Sequence, residues 1–248
     1  MPLTKTPNPL SFPNLLALFD SVSARYDLLN RILSLGRDLF WREALARRIQ
    51  ILDFPGNFLD LATGSGDQLL AIRKFWPHSN LTGLDFSNSM LDVARRKISH
   101  TLPEDENIGL ILGNALDPPF PVNSFDSISI SFGLRNIPDR QALYPKVLSL
   151  LKPGGRFLVL ELYFDSRSIF APIELFHLEK ITPWIAQKLV YKQGKAYDYL
   201  SRSILNFPHP SLIQDELIAA GFKGVQYQTY TFHTTMLVWG QKPIKTSY

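Results

Sequence analysis

Four short segments hold residues of the kind that grip a nucleoside-bearing ligand. The first is Asp60-Leu61-Ala62-Thr63-Gly64-Ser65-Gly66-Asp67. Its small residues let backbone approach a ligand closely, and a helix starting after it would present unpaired N–H groups. A dinucleotide site would need a third glycine three residues beyond Gly66, and position 69 is Leu. The loop therefore suits a ligand without a pyrophosphate, although a glycine pair alone is also compatible with a plain tight turn. The second segment is Asp85-Phe86, with Asp85 standing 19 residues after Gly66. A carboxylate there can accept both hydroxyls of a ribose, or it can simply open a turn and cap a helix. In the third, Gly113-Asn114-Ala115, the Asn side chain is suited to an adenine amino group. The fourth is Ser131-Phe132-Gly133-Leu134-Arg135-Asn136. There a permanently charged guanidinium beside an amide could stabilise an oxyanion. The competing reading of Arg135 is a structural ion pair, with Asp139 as partner.

The elements that must position these segments alternate. Phe58–Ala62, Asn80–Asp85, Ile108–Leu112, Phe125–Ser131 and Arg156–Tyr163 read as strands. Helices follow the first two, the second capped by Ser87, and another spans Arg140–Leu151 before the turn Lys152-Pro153-Gly154-Gly155. This rhythm predicts an α/β fold with a mainly parallel sheet and helices on both faces. The early strands are unbroken apolar runs, as expected when both faces are covered. Upstream, Leu15, Leu18, Phe19, Val22, Tyr26, Leu29 and Leu33 recur at helical spacing, and a second helix is expected over Leu39–Ile51. Residues 165–207 break the alternation; they are aromatic (Phe170, Phe176, Trp184, Tyr191) and read as a helical insertion. A last helix over Ser211–Ala220 and an edge hairpin complete a single domain. Its parts are an N-terminal cap (1–52), a ligand-binding core (53–164), the insertion and residues 208–248.

Length and composition allow one sizeable core: 248 residues, 45% hydrophobic, with a net charge of only +4. The basic clusters Arg42–Arg48 and Arg95–Lys97 lie in helical patterns and read as solvated faces rather than a nucleic-acid site. The absence of cysteine excludes disulfides, thiolate metal sites and a thiol nucleophile. The five histidines, His78, His100, His177, His209 and His233, form no sequence cluster typical of a metal site. No stretch reaches the roughly 20 apolar residues of a spanning helix. The start does not read as a signal peptide, so a cytoplasmic location is expected.

The glycine loop, Asp85, Asn114-Ala115 and the Lys-Pro-Gly-Gly turn come in the order and spacing of class I S-adenosylmethionine methyltransferases, which the chain resembles. That resemblance implies a Rossmann-like seven-stranded sheet with one antiparallel edge strand, and a cofactor across the C-terminal strand ends. More particular segments are Phe19-Asp20-Ser21-Val22 with Ala24-Arg25-Tyr26-Asp27-Leu28-Leu29-Asn30, then Phe132–Asn136, Tyr197–Ile204 and Ala220-Gly221-Phe222. Together they look like the ubiquinone/menaquinone C-methyltransferase family. Carried over, the cofactor contacts fall on Ser65, Asp85, Asn114, Ala115 and Ser131, within a site that also takes in Asp60, Thr63, Gly64, Gly66 and Phe86. Trp239 stands where members usually have a His in the last strand.

A sulfonium methyl is already activated, so its transfer to carbon needs alignment, exclusion of water and a nucleophilic ring. The resemblance implies S-adenosylmethionine as cofactor, a prenylated quinol as substrate and no metal. Demethylmenaquinol is the first expectation; a benzoquinol, another small hydrophobic molecule, or a cofactor-holding module without catalysis are the alternatives. Arg135 and Asn136 are the candidate catalytic pair. Tyr26, Tyr197 and Tyr199 could hydrogen-bond or stack on the ring, and His177 reads as an insertion or core histidine. The insertion and N-terminal helix could close over an isoprenoid tail. Peripheral contact with the inner face of the membrane and a homodimer are further expectations for partners; nucleic acid is not.

Overall fold

Five short segments, too brief to stand alone, become adjacent strands of one sheet. The computed structural model describes residues 16, 17, 20, 26–182, 184, 185 and 194–244. Leu15, Leu18, Phe19, Val22 and Tyr191 lie outside these, as do the side chains of Tyr26, Leu29 and Tyr197. Chain order runs α1 (Tyr26–Leu33), α2 (Arg37–Ala46), β1 (Asn57–Leu61), α3 (Asp67–Phe75), β2 (Asn80–Asp85) and α4 (Asn88–Thr101). It continues with β3 (Ile108–Leu112), β4 (Phe125–Ser131), a 3-10 turn (Leu134–Asn136), α5 (Arg140–Leu150) and β5 (Leu151–Leu162). Next come α6 (Ala171–Phe176), a π-helical turn (His177–Ile181), α7 (Gly194–Leu205), α8 (Pro210–Ala219), β6 (Lys223–Tyr230) and β7 (Thr235–Gln241).

The seven strands lie in the order β3-β2-β1-β4-β5-β7-β6. The first five are parallel, and β7 runs antiparallel between β5 and β6. Strand order reverses between β1 and β4, so the chain leaves their C-terminal ends in opposite directions and opens a crevice there. Alternation divides the core. Leu59 and Leu61 face a cluster with Ile128, Ile130, Tyr144, Phe157 and Phe222, whereas Phe58 faces one with Trp41, Leu45, Leu69, Ile72, Leu160 and Trp239. Helices α5 and α8 cover the first face, α2 and α3 the second. Removing a side chain as enclosed as Leu61, fully buried, would cost about 2–5 kcal/mol.

Two local details differ from the expectation. Lys152-Pro153-Gly154-Gly155 does not turn ahead of the strand; it is the irregular start of β5. Its backbone pairs with residue 242, through Gly154 N–H to Lys242 O at 3.0 Å and Lys242 N–H to Gly155 O at 2.8 Å. Lys152 also bridges Asp53 and Asp126 at 3.0 and 2.9 Å. The second helix stops at Ala46 instead of Ile51: Gln50 gives its N–H to Ser127 Oγ at 3.1 Å in place of a helical carbonyl, and the Arg48 carbonyl accepts from Arg156 at 2.6 Å. The Ser87 cap stands as expected, accepting from Met90 N–H at 3.2 Å.

Candidate active site

The β1–α3 loop is shaped by backbone that few side chains tolerate. Ala62, Gly64 and Gly66 have φ values of 51°, 56° and 81°. A Cβ on Gly66 would come within 3.2 Å of Ala94 Cβ on α4, so that glycine sets how closely the loop packs. The loop points its Gly64 amide at the tip of β2, where Asp85 Oδ2 accepts it at 2.8 Å; Asp85 Oδ1 accepts from Ser87 N–H, two residues along its own chain, at 2.9 Å. Burial raises its carboxyl above the usual range, and these amides hold it back. Two oxygens offer about four lone-pair directions, so Asp85 can accept further hydrogen bonds.

A narrow cleft of about 60 Å³ opens beside it, lined by Gly64, Asp85, Phe86, Asn114, Ala115, Ser131 and Asn136. Seven residues expected at the site thus share one cavity. Asn114 accepts from Leu116 N–H through Oδ1 at 2.9 Å, which uses one of that oxygen's two lone pairs and leaves the other to accept a further donor. Ser131 donates its hydroxyl to Gln68 Oε1 at 2.9 Å, and Gln68 in turn donates to the Arg42 carbonyl at 3.2 Å.

Four other expected residues do not line the cleft. Asp60 lies beneath it, accepting from Ser129 Oγ at 2.7 Å. Burial pushes its carboxyl up to about 6, against the opposing pull of Ser129, Thr63 and Arg42. Thr63 is itself buried, and Gly66 acts through packing. Ser65 turns toward the N-terminal helix, donating to Asp27 Oδ1 at 2.5 Å. Lys97 joins the same Asp27, and Arg31 reaches Asp67 at 2.8 Å, so α1 is tied to the glycine loop. Asp20 accepts from Ser87 and Ser89 at 2.7 and 2.5 Å, beside the tip of β2.

Across Phe132 lies a second, larger chamber of about 300 Å³. Phe132 lines both cavities, at φ 58°, a strained value for a bulky residue that costs on the order of 1–3 kcal/mol. Its N–H donates to Leu160 O at 2.7 Å, and the Arg42 guanidinium sits 5.0 Å above its ring. The chamber walls are largely apolar: Leu33, Leu35, Trp41, Leu162, Leu178 and Ile204. Arg135 also faces it. The partner suggested for Arg135 was Asp139, and that is corrected. Asp139 caps α5 by accepting from Ala142 N–H at 3.0 Å, while Arg135 pairs with Glu161, whose side chain is fully buried on β5. A second bond, Arg135 N–H to Glu161 Oε2 at 3.2 Å, holds the backbone too. Tyr199 donates to Asn136 Oδ1 at 2.8 Å, coupling α7 to the loop after β4. Burial raises the Tyr199 phenol, Arg135 counteracts this and Glu161 adds to it. Tyr26 and Tyr197 have no described side chains. His177 lines the chamber, with burial lowering its ring toward the neutral form.

Sequence reasoning missed Glu161, Gln68, Arg42 and Glu174. Glu161 carried a signal: it is one acid in the otherwise apolar run Phe157–Leu162, and such a residue must be paired if buried. Glu174, which also faces the chamber, had none.

The sequence pattern of the ubiE/COQ5 methyltransferase family matches residues 13–242. A demethylmenaquinone methyltransferase of Thermus thermophilus is 35% identical over 91% of this chain and 100% of its own length. The ubiquinone/menaquinone biosynthesis C-methyltransferase UbiE of Geotalea daltonii is 34% identical, over 91% and 94%. Among solved structures, the phosphoethanolamine N-methyltransferase 2 of Haemonchus contortus in complex with S-adenosyl-L-methionine has the same fold. Its TM-score is 0.61 at 16% identity, over 82% of this chain and 52% of that one.

Proposed function

The chain belongs to the ubiE/COQ5 methyltransferase family, and on that premise we propose that it methylates a ring carbon of a prenylated quinol, using S-adenosylmethionine as donor. It is a methyltransferase; demethylmenaquinol is the acceptor favoured by the names its relatives carry. The observation that carries the reading is the shared Phe132 wall between a carboxylate-tipped cleft and an apolar chamber.

The cleft fits the cofactor by the chemistry of its donors and acceptors. Asp85 would take the ribose hydroxyls and Asn114 the adenine amino group, with Gly64, Phe86, Ala115 and Ser131 closing around them. Asp60, Thr63, Ser65 and Gly66 would act by holding the loop. When bound, the cofactor supplies a methyl group already activated on a sulfonium. The chain's own task is then to present a nucleophilic ring and keep water out. Arg135 would stabilise negative charge on the ring oxygen next to the attacked carbon, remaining charged throughout. Glu161 fixes the guanidinium, and Tyr199 fixes Asn136.

Among the described residues, α6, the π-helical turn and α7 would close over the chamber as a lid and α1 and α2 as a cap, which suits an isoprenoid tail. Apolar side chains exposed in these segments and nearby, Leu35, Ile169, Ile173 and Phe232 (79%, 86%, 69% and 55% exposed), suit contact with a membrane surface. No helix among the described residues is long and apolar enough to cross a bilayer. A cytoplasmic protein that visits the inner face of the membrane, as a monomer or homodimer, fits this reading.

The test is methyl transfer by the purified protein from labelled S-adenosylmethionine to demethylmenaquinol, with demethylated benzoquinols and water-soluble acceptors in parallel. Label on demethylmenaquinol supports the assignment. Label confined to benzoquinols or to soluble acceptors overturns it in favour of that substrate class.

A further inference from the structure

Two polar groups in the chamber have no task in the account above. Tyr163 is 1% exposed. Neither its hydroxyl nor either oxygen of Glu174 has a hydrogen-bond partner among the described residues. Both residues line the chamber that Arg135 faces. Hiding a carboxylate without a partner works against folding, so the fold itself gives no reason to keep it there. On α6, Ile173 also lines the chamber yet is 69% exposed, whereas both Glu174 carboxylate oxygens are buried.

We infer that Glu174, with Tyr163, receives a hydroxyl of the ring substrate and so makes the chamber select the reduced, hydroxyl-bearing ring over its oxidised, carbonyl-bearing form. The inference rests on the quinol reading and adds a basis for redox discrimination. A carboxylate only accepts, so it can pair with a ring O–H but meets a carbonyl lone pair to lone pair. Arg135 only donates, and serves a hydroxyl oxygen or a carbonyl equally well. The guanidinium alone therefore cannot tell the two oxidation states apart. The Tyr163 hydroxyl both donates and accepts, and can complete the hydrogen bonding of the same substrate oxygen.

Burial, and then the nearby Asp165, raises the Glu174 carboxyl to about 7. The other ionisable groups facing the chamber are His177 beyond the same helix, Tyr163 after β5, Arg135 after β4, and Arg37, Asp38 and Arg42 on α2. Above about 7 the group is ionised and discriminates; below it, the bound proton can be donated to a carbonyl, so the preference shrinks as pH falls.

The experiment measures anaerobic binding to the full chain of a dihydroxynaphthalene bearing one short prenyl chain, and of the corresponding quinone. At about pH 8 the wild type favours the reduced ring by roughly tenfold or more. In Glu174→Gln the preference falls to within about threefold, and Glu174→Asp retains part of it. Acidifying to about pH 6 lowers the ratio in the wild type but not in Glu174→Gln. Equal binding of both forms by the wild type, or an unchanged ratio in Glu174→Gln, overturns the inference. If Glu174→Gln fails to bind S-adenosylmethionine and so is misfolded, Tyr163→Phe is read instead, with a smaller loss of the same ratio expected and an unchanged ratio overturning the inference. Methyl transfer to the reduced probe is assayed with the same wild-type preparation. Its absence removes the proposed function, whereas transfer with an unchanged ratio removes only the role of Glu174.

Discussion

The cleft at the strand tips and the chamber behind Phe132 are neighbours made of different materials. The cleft is narrow, and its shape comes from backbone: three residues at positive φ, and a carboxylate held by two amides. The chamber is about five times larger in volume, about 300 against 60 Å³, and its walls include side chains from α1, α2, β5, α6, the π-helical turn and α7. Geometry made of backbone survives most side-chain changes, so one cofactor site can be kept while its neighbour varies. On the proposed function, specificity for the acceptor resides in the chamber's side chains.

The sharpest way to break this division is Arg135→Ala. Turnover should fall by roughly 10²–10³ with cofactor affinity nearly intact. Glu161 would be left charged and unpaired, a loss of about 3–5 kcal/mol of stability. Adding Glu161→Gln should restore much of the melting temperature without restoring turnover; recovery of turnover would take Arg135 out of the reaction. Next in size is a titration beneath the cleft. Asp60 is held at about 6 in the folded chain against 3.8 unfolded. The folded state therefore binds more protons between those values, and stability should decline by about 3 kcal/mol as pH rises through that window. Asp60→Asn should flatten the decline in denaturant titrations, and an equal slope in both proteins would refute the burial argument. Asp85→Ala should weaken cofactor binding by about 100-fold in calorimetry while leaving ring binding in the chamber unchanged. Loss of both would mean that the two cavities are not separable. The smallest effect belongs to Leu178→Asn, expected to raise KM for tailed substrates about tenfold and to leave tail-free rings unaffected. Equal effects on both would place the tail elsewhere.

The cleft was legible in the sequence because its determinants are local. Short strand patterns mark β1, β2 and β4, and each delivers its reactive tip within a few residues of the strand end. Three features were not legible. The Arg135–Glu161 pair joins residues 26 apart, and only the β4–β5 register brings them together. Asp139, nearer in sequence, is taken up by a helix cap. Ser65 is a cofactor contact only by resemblance to the family; its bond to Asp27 depends on how a distant helix docks. Glu174 sits in an irregular segment of short helices, where no period tells which side chains point inward.

Helix α1 belongs to both regions. Asp27 and Arg31 fasten it to the glycine loop and the start of α3, and Asn30 and Leu33 stand in the chamber wall. If, as proposed, the cleft holds the donor and the chamber the acceptor ring, any free energy by which an occupied cleft steadies that helix is returned, factor for factor, as tighter holding of the ring. The two ligands would then be linked by reciprocity through one short stretch of chain, with the strength of that linkage readable from either side.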